Sequence, residues 1–217
     1  MTLAIFDLDN TLLAGDSDHS WGEFIADLGV VDGSSYRAKN DAFYDDYCRG
    51  ALDIFAYQRF VLAPLAGFNI AELTRWHEQF MREKIEPIVL PKAQALVDNH
   101  RAQGHTLMII TATNSFITTP IAKRFGIDIL IATTPEQKNG IYTGDIVGVP
   151  CYREGKVERL NAWLAENNET LYGSYFYSDS HNDLPLLQRV DHPVAVDPDD
   201  TLRKYAKDNG WQILNLR

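Results

Sequence analysis

Short apolar runs alternate with segments of helical periodicity along most of the chain, and this alternation limits the possible folds more than any other feature. An apolar run of about four to eight residues between polar residues is typical of a buried strand. Apolar residues at three- and four-residue spacing are typical of helices that pack on a sheet. The alternation therefore predicts an α/β fold built on a parallel sheet. The predicted strands cover residues 3–6, 106–110, 127–132, 174–177, 193–196 and 212–214, and the predicted helices cover residues 91–103, 115–125, 155–166, 184–188 and 199–209.

The alternation is interrupted between residues 16 and 87, where helical patterns follow one another without a strand-like run. They cover residues 21–28, 35–48, 54–62 and 70–86. We predict a helical domain of residues 16–87 inserted into a core domain of residues 1–15 and 88–217. Because aromatic side chains are usually buried, we expect those of the insertion to form a small core of their own. They include Trp21, Phe24, Phe43, Tyr47, Phe60, Trp76 and Phe80.

The dipeptides Asn139-Gly140 and Thr143-Gly144 lie between strand-like runs at residues 131–134 and 145–149. Asn-Gly is a strong short-range signal for the tight turn of a β-hairpin. We therefore expect a hairpin or a pair of turns in this part of the chain.

The formal net charge of the 217-residue chain is -10 at pH 7, which disfavours nucleic acid as a partner because phosphate backbones are repelled on average. No apolar run approaches the roughly 18 residues that a membrane-spanning helix needs, so no membrane partner is expected. The first apolar run has no basic segment before it and ends at Asp7, unlike a signal peptide. We therefore expect a cytoplasmic protein in which Cys48 and Cys151 are reduced thiols. The sequence carries no signal of an oligomeric state.

Asp7 directly follows the first predicted strand, and Asp9 lies two residues further on. Ligands of open α/β folds bind at the carboxyl ends of the strands, and in an extended chain both carboxylates project to the same side. One carboxylate can attack phosphorus to form an acyl phosphate, while the second protonates the leaving alcohol and later activates water. This chemistry makes Asp7 the nucleophile and Asp9 the general acid and base. The alternative is a turn or a helix cap, with Thr11 capping the next segment.

Other segments place phosphate-binding and charge-neutralising groups at predicted strand or helix ends. Thr111 ends an apolar strand and leads into a helix, so its hydroxyl and the backbone amide of Ala112 are candidate phosphate ligands. The alternative is that Thr111 is an ordinary β-branched strand residue. Lys156 lies near the start of a helix, where its ammonium is placed to neutralise a transferring phosphoryl group, although such a lysine is more often a solvated surface residue. Asn182 is a further candidate phosphate ligand.

A polar turn at residues 178–183 follows the predicted strand at 174–177. Mg²⁺ prefers an octahedral shell of oxygen ligands and keeps several waters. Asp7, the backbone carbonyl of Asp9 and Asp179 are therefore a sufficient protein contribution to a Mg²⁺ site. Asp183 is expected to orient a metal-bound water or the lysine of the site. The alternative is a helix cap formed within the turn.

These segments, in this order and with a helical insertion after the first, resemble the haloacid dehalogenase superfamily, most closely its subfamily IB, the phosphoserine phosphatase-like hydrolases. Asp7-Leu8-Asp9-Asn10-Thr11 resembles the first motif of that family, and Thr111 the second. Lys156 resembles the third motif, and Asp179 with Asp183 the fourth. The resemblance covers nearly the whole chain.

The resemblance implies a Rossmann-like core, a helical C1-type cap between the first two motifs and an aspartyl-phosphate intermediate. It also implies Mg²⁺ coordination by Asp7, Asp9 and Asp179, and hydrolysis of a small phosphomonoester. The chain departs from the family pattern at two places. Ser178 stands where a glycine is usual, and Ala112-Thr113 stands where phosphoserine phosphatases often have two glycines.

Substrate selection is expected in the cap. By similarity, Asp16 corresponds to an acidic residue that binds the ammonium of phosphoserine, and Arg59 to an arginine that binds its carboxylate. Asp16 is shorter than the usual Glu, so another amine-bearing ester, with histidinol phosphate as a candidate beside phosphoserine, is compatible with the pattern. His19, Trp21 and Tyr57 are further candidates for the lining of the pocket, each with a structural role as the alternative.

Other functions remain open from the sequence. A phosphomutase of the same fold would use the same residues and return the phosphoryl group to a sugar. A phosphate-binding module without turnover would keep the fold, but the proposed catalytic residues are all present. A dehalogenase has no need for an acid at Asp9, and the spacing of the histidines does not favour a zinc hydrolase.

Overall fold

A seven-stranded sheet with the order β4-β3-β2-β1-β5-β6-β7 forms the centre of the structure, a computed structural model that describes residues 2–217. All neighbouring strands are parallel except β3 and β4, which form an antiparallel hairpin at one edge. The predicted α/β fold with a parallel sheet is confirmed. The strands are β1 Leu3–Phe6, β2 Thr106–Asn114, β3 Ile129–Lys138, β4 Ile141–Val147, β5 Tyr175–Ser178, β6 His192–Val196 and β7 Gln212–Leu214.

The helices lie where the periodicity predicts them, within a few residues at each end. None of the described helices is by itself long and apolar enough to cross a membrane, and Ile54–Gly67 and Ile70–Ile88 pass that test only as a pair bent by 119°. The α-helices are α1 Ser17–Asp27, α2 Gly33–Cys48, α3 Ile54–Leu62, α4 Ile70–Phe80, α5 Pro91–Ala102, α6 Ser115–Arg124, α7 Glu154–Asn167, α8 Leu184–Leu187 and α9 Asp200–Asp208. Short 3₁₀ helices cover Ala63–Gly67, Glu86–Ile88 and His181–Asp183, and a π turn covers Met81–Ile85.

Strand β1 is buried on both faces, as a central parallel strand should be. Leu3 and Ile5 pack into a hydrophobic cluster on one side of the sheet, and Ala4 and Phe6 pack into a cluster on the other. This alternation follows from the two-residue period of a strand. The centre of the sheet is therefore a rigid support for the residues that follow β1.

The aromatic residues of the insertion do not form a core of their own, so that prediction is wrong. Trp21 packs edge-on against Phe116 of α6, with ring centroids 5.2 Å apart, and also against Phe80. Both Trp21 and Phe80 belong to the same buried cluster as Phe6 of β1. The inserted segment of residues 16–87, called the cap below, thus shares its core with one face of the sheet. The division into domains at residues 15 and 87 stays a prediction.

The hairpin between β3 and β4 turns at Asn139-Gly140, as predicted. Both residues have positive φ, 53° and 77°, which suits the tight turns that match the twist of antiparallel strands. Strand β4 occupies residues 141–147, whereas the strand-like run was expected at 145–149. Cys48 is exposed and Cys151 is buried, and both are free thiols.

Candidate active site

The candidate catalytic residues gather at the carboxyl ends of β1, β2 and β5, the three central strands of the sheet. Phe6, the last residue of β1, is aligned with Ile109 of β2 and Tyr177 of β5, so β1 and β5 end at about the same level while β2 continues beyond them to Asn114. The backbone N–H of Asp7 donates to the carbonyl of Tyr177, at 2.9 Å, which continues the pairing of β1 with β5 one residue beyond the strand. The fold therefore converts three distant sequence segments into one site.

A tight loop after β1 fixes Asp7 and Asp9. The carbonyl of Leu8 accepts hydrogen bonds from the backbone N–H groups that follow, including that of Leu12 at 2.8 Å. Asn10 adopts the left-handed conformation at φ 57°, which Asn tolerates better than most residues. The carboxylate of Asp9 accepts from the backbone N–H of Ser17, at 2.7 Å.

A second contact to Asp9 was not foreseen from the sequence. The hydroxyl of Thr113 donates to Oδ2 of Asp9 at 2.8 Å. Strand β2 continues to Asn114, beyond the predicted end at residue 110, and carries both Thr111 and Thr113. The two-residue period of a strand was the signal that could have placed Thr113 beside the site.

Lys156 joins the first motif to the fourth. Its ammonium lies 2.8 Å from Oδ1 of Asp7 and 2.8 Å from the carboxylate of Asp183, and all three side chains are at most 6% exposed. A Cβ on Gly155 would lie 2.1 Å from the carbonyl oxygen of Pro150, so glycine is needed for the first turn of α7 to approach this loop. That approach brings Lys156 into the site.

Ser178, at the position where the family usually has glycine, has a specific contact. Its buried hydroxyl donates to Oδ2 of Asp183 at 2.7 Å, and it accepts from the backbone N–H of Ser180 at 3.1 Å. Asp199 accepts from the backbone N–H of His181 at 2.7 Å and so anchors the same turn from α9. The turn that carries Asp183 is therefore fixed from both ends.

Thr11 contacts Asp179, the other acid of the fourth motif. Its hydroxyl lies 3.2 Å from Oδ1 of Asp179 and accepts from the backbone N–H of that residue at 3.1 Å. This contact joins the loop after β1 to the loop after β5. The helix cap considered for Thr11 from the sequence is wrong, because Asp16 is the N-cap of α1 and Thr11 instead contacts Asp179.

The electrostatics of the site follow from buried carboxylates around one buried cation. Burial raises the pKa of Asp7 to about 7, although Lys156 lowers it in part. Burial and then the charge of Asp16 raise the pKa of Asp9 to about 7. Burial alone would lower the pKa of Lys156, but the charges of Asp183 and Asp7 outweigh it and raise that pKa.

This donor set fits a hard divalent cation. Burial, followed by the charges of Asp7 and Asp183, raises the pKa of Asp179 well above its ordinary value. Such a surplus of buried carboxylates is what an oxygen-binding cation would neutralise. In the described part of the chain, the side-chain oxygens of Asp7, Asp9 and Asp179 do not all lie within 4.8 Å of one another. The carboxylate of Asp9 turns instead to Ser17 and Thr113, which leaves its backbone carbonyl as the donor expected from the sequence.

A pocket lies between the cap and a part of the core that includes Asp7, Asp9 and Thr111. Its lining contains carboxylates from both the core and the cap, and aromatic rings from the cap. No Lys or Arg is among its lining residues in the described part of the chain. The core contributes Asp7, Asp9, Asn10, Thr111, Ala112 and Thr113, and the cap contributes Asp16, Asp18, Phe43, Tyr44, Tyr47, Leu52, Ile54 and Tyr57.

Some residues expected in the pocket lie elsewhere. Arg59 is exposed and borders one groove on the cap and a second groove between the cap and the hairpin of β3 and β4. Nε2 of His19 lies 2.8 Å from a carboxylate oxygen of Asp41, and His19 is not among the lining residues. Trp21 is fully buried in the shared core. Asp16 does line the pocket, but its Oδ1 also caps α1 by accepting from the backbone N–H of His19 at 2.8 Å.

Asn182, a candidate phosphate ligand, also lies outside the lining of the pocket. Its side-chain amide donates to the carbonyl of Tyr47 at 3.1 Å, and its Oδ1 accepts from the hydroxyl of Tyr152 at 3.1 Å. Asn182 is almost fully buried and thereby connects the end of α2 in the cap to the turn after β5. Its observed contacts hold the cap to the core.

The fold and the site define the class of protein. A model of the haloacid dehalogenase-like hydrolases matches residues 4–188, and the chain belongs to this family. It is a hydrolase of the phosphatase type, with the α/β fold that phosphoserine phosphatases share.

Particular relatives are similar over the full length. The chain is 50% identical over 219 residues to a histidinol-phosphatase of Neisseria meningitidis serogroup C (strain 8013), covering 99% of both chains. A crystal structure of a protein of unknown function from Bordetella pertussis Tohama I is 46% identical, covers 100% of both chains and has a TM-score of 0.94. A substrate-bound phosphoserine phosphatase structure is 16% identical, covers 100% of this chain and 93% of that one, and has a TM-score of 0.72, which shows a shared fold.

Proposed function

We propose that this chain is a Mg²⁺-dependent histidinol-phosphatase in which Asp7 is the nucleophile. The observation that carries the proposal is the pocket, to which the core contributes Asp7 and Asp9 and the cap contributes the carboxylates of Asp16 and Asp18. The carboxylates of the cap are complementary to a cationic leaving group, whereas the anionic phosphate needs Lys156 and a bound cation beside Asp7. The histidinol-phosphatase that is 50% identical over the whole chain supports the same substrate. We expect such a small metabolite, and not nucleic acid or a membrane, as the partner in the cytoplasm.

The first chemical step is assigned to Asp7. Lys156 binds Oδ1 of Asp7, and we assign the other carboxylate oxygen to the attack on phosphorus. The bond between phosphorus and the leaving oxygen breaks as the acyl phosphate forms. The ammonium of Lys156 stabilises the negative charge of the phosphoryl group, and the hydroxyl of Thr111 and the backbone amide of Ala112 are assigned to its remaining oxygens.

Proton transfer is assigned to Asp9. In its protonated form it gives a proton to the leaving alcohol, and as a carboxylate it then takes a proton from the water that hydrolyses the acyl phosphate. A carboxyl group with a pKa near neutrality can both give a proton to the alcohol and take one from water. Burial raises the pKa of Asp9 to about 7. The hydrogen bonds from Ser17 and Thr113 hold the carboxylate of Asp9 near the carboxyl end of β1.

Asp7, Asp179 and the backbone carbonyl of Asp9 are the groups that we assign to Mg²⁺. When bound, the ion neutralises carboxylate charge and stabilises the charge of the phosphoryl group. Asp183 holds Lys156 and is further assigned to a water of the ion.

Enzyme treated with EDTA and returned to buffer should regain phosphate release from histidinol phosphate with Mg²⁺. Full activity of the metal-free enzyme would show that the reaction does not depend on Mg²⁺.

The pocket predicts a preference for histidinol phosphate over phosphoserine. Both substrates carry an ammonium group, but phosphoserine also carries a carboxylate, for which the lining of the pocket offers no Lys or Arg among the described residues. An unpaired charge in such a pocket costs several kcal/mol, so we expect kcat/KM for phosphoserine to be lower by at least about 100-fold. Phosphate release measured over a range of both substrates checks this.

Comparable kcat/KM values for the two substrates would contradict the proposed specificity. O-Phosphoethanolamine, which has the ammonium and no carboxylate, is the control ester. It should exceed phosphoserine, since the carboxylate is the group that the pocket rejects. Isomerisation of a sugar phosphate without net release of phosphate would instead identify a phosphomutase.

Thr113→Val should lower kcat by about tenfold, because a hydrogen bond to a charged group contributes about 1.5–3 kcal/mol and this one orients the acid of the reaction. The substitution keeps the size and β-branching of the side chain and removes the donor to Asp9. Thr119→Val is the matched control, since the Thr119 hydroxyl bonds the carbonyl of Ser115 on the exposed side of α6. Steady-state kinetics with both variants test this, and equal kcat values would show that Thr113 does not position Asp9.

A further inference from the structure

We propose that Asp18 binds the cationic nitrogen of the substrate and so determines which leaving groups the enzyme accepts. This inference rests on the proposed phosphatase function of the same pocket. It assigns the contact to a residue that the sequence did not indicate, in place of Asp16, to which the sequence assigned the ammonium of the substrate.

Asp18 is a buried acid with an unused oxygen. The residue is 3% exposed, and its Oδ1 is buried without a hydrogen-bond partner among the described residues. It lies in the first turn of α1, where a carboxylate is favoured by the helix dipole. The helix dipole would explain an exposed acidic residue in the first turn, but it does not explain why Asp18 is buried. Tyr57 hydrogen-bonds the Asp18 carboxyl, but Oδ1 keeps no partner, and a cation that pairs with it would offset the cost of burying it.

The position of Asp18 directs it to the ligand. It lines the pocket together with Asp9, which we assign to the leaving oxygen. Ser17, the residue before Asp18, donates its backbone N–H to Oδ1 of Asp9 at 2.7 Å, so Asp18 lies beside the acid that we assign to the leaving group. Burial, followed by the charges of Asp16 and Asp9, raises the pKa of Asp18 well above its ordinary value. A cationic ligand would offset this effect.

Asp16 is less available for the same contact. Its Oδ1 is the N-cap of α1 and accepts from the backbone N–H of His19 at 2.8 Å. A capping carboxylate that turned toward a ligand would leave a backbone donor of the first turn without a partner. Asp16 therefore adds negative charge to the pocket while its side chain holds the helix in place.

The aromatic side chains beside Asp18 suit a cation. Tyr57 and Phe43 line the same pocket and pack against each other, with ring centroids 5.3 Å apart. Tyr44 and Tyr47 complete the aromatic part of the lining. Aromatic rings attract ammonium and imidazolium groups through their electron-rich faces and stack on neutral imidazole. The cap end of the pocket is thus built for an aromatic amine.

Asp18→Asn tests the assignment, because it removes the charge and keeps the shape. A charge-assisted hydrogen bond contributes about 1.5–3 kcal/mol, or about tenfold to a hundredfold in affinity. We expect kcat/KM for histidinol phosphate to fall by that factor, and to fall at least tenfold more than kcat/KM for p-nitrophenyl phosphate, which has no cation. Asp45→Asn removes the same charge from an exposed site on α2 and should leave both values unchanged.

Inhibition by histidinol separates this inference from the proposed function. Histidinol should inhibit hydrolysis of p-nitrophenyl phosphate by the wild-type enzyme, with an inhibition constant at least tenfold higher in Asp18→Asn. If that holds and histidinol phosphate is not hydrolysed, the proposed substrate is wrong and the cation site stands. If histidinol phosphate is hydrolysed and Asp18→Asn changes neither its kcat/KM nor the inhibition constant, the cation site is refuted and the function stands. Equal losses with both esters would show a structural role for Asp18 and also overturn the inference.

Discussion

Asp7→Asn is expected to lower kcat for histidinol phosphate by at least about 10⁴-fold, since removal of a catalytic nucleophile typically costs several orders of magnitude. The amide is nearly isosteric with the carboxylate but is a far weaker nucleophile toward phosphorus. Residual turnover would have to come from water attacking the bound ester directly. The measurement is phosphate release at saturating substrate, with enough enzyme to detect a rate of this size.

The fold should survive this substitution. Burial already raises the pKa of Asp7 to about 7, so a neutral group at this position is tolerated. Lys156 keeps its second ion pair, with Asp183 at 2.8 Å, and the backbone N–H of Asp7 that continues the pairing of β1 with β5 is unchanged. Asp145→Asn, an exposed change on β4, is the matched control and should retain full activity. If Asp7→Asn folds and keeps a kcat within tenfold of the wild-type value, Asp7 is not the nucleophile.

Lys156→Met should lower the free energy of unfolding by about 3–5 kcal/mol, the usual effect of removing one partner from a buried ionic group. The ammonium of Lys156 lies between the carboxylates of Asp7 and Asp183, 2.8 Å from each, and methionine would leave both without their cation. The same change removes the charge that stabilises the phosphoryl group, so kcat should fall by about 10²- to 10³-fold. Urea unfolding in metal-free buffer measures the stability, and steady-state kinetics measure the rate.

Two further variants distinguish the effect of leaving buried carboxylates without a cation from the effect of replacing any lysine with methionine. Lys156→Met combined with Asp183→Asn should recover part of the lost stability, because it removes one of the two uncompensated carboxylates, but it should not recover activity. Lys204→Met breaks a surface pair with Asp208 and should change stability by no more than about 1 kcal/mol. A Lys156→Met protein as stable as the Lys204→Met protein would contradict this account of the buried cluster.

Much of the core could be predicted because its signals are local. The run at residues 3–6 is apolar throughout, as a central parallel strand must be, and the next residue is the acid of the site. Lys156 and the acids at residues 179 and 183 lie at the ends of helices or strands. Because the carboxyl ends of parallel strands lie at the same edge of a sheet, these residues are expected to lie close together. In the structure β1 lies between β2 and β5, an order that the sequence did not predict.

The parts that sequence reasoning missed depend on contacts between distant segments. Trp21 has the same helical periodicity whether it packs within the cap or against Phe116, so periodicity could not show the shared core. Arg59 was expected in the pocket by its place in the sequence, but its position on α3 directs it to the outer surface. Asp18 gave no signal, because an acid in the first turn of a helix is ordinary; its burial distinguishes it.

The stereochemical course at phosphorus tests the central claim most directly. Attack by Asp7 followed by attack of water on the acyl phosphate amounts to two in-line displacements, each of which inverts the configuration. A phosphorothioate ester of histidinol, made chiral at phosphorus with oxygen isotopes and hydrolysed in isotopically labelled water, should therefore give thiophosphate with net retention. Net inversion would show that water attacks the ester directly, and it would contradict a covalent intermediate on Asp7.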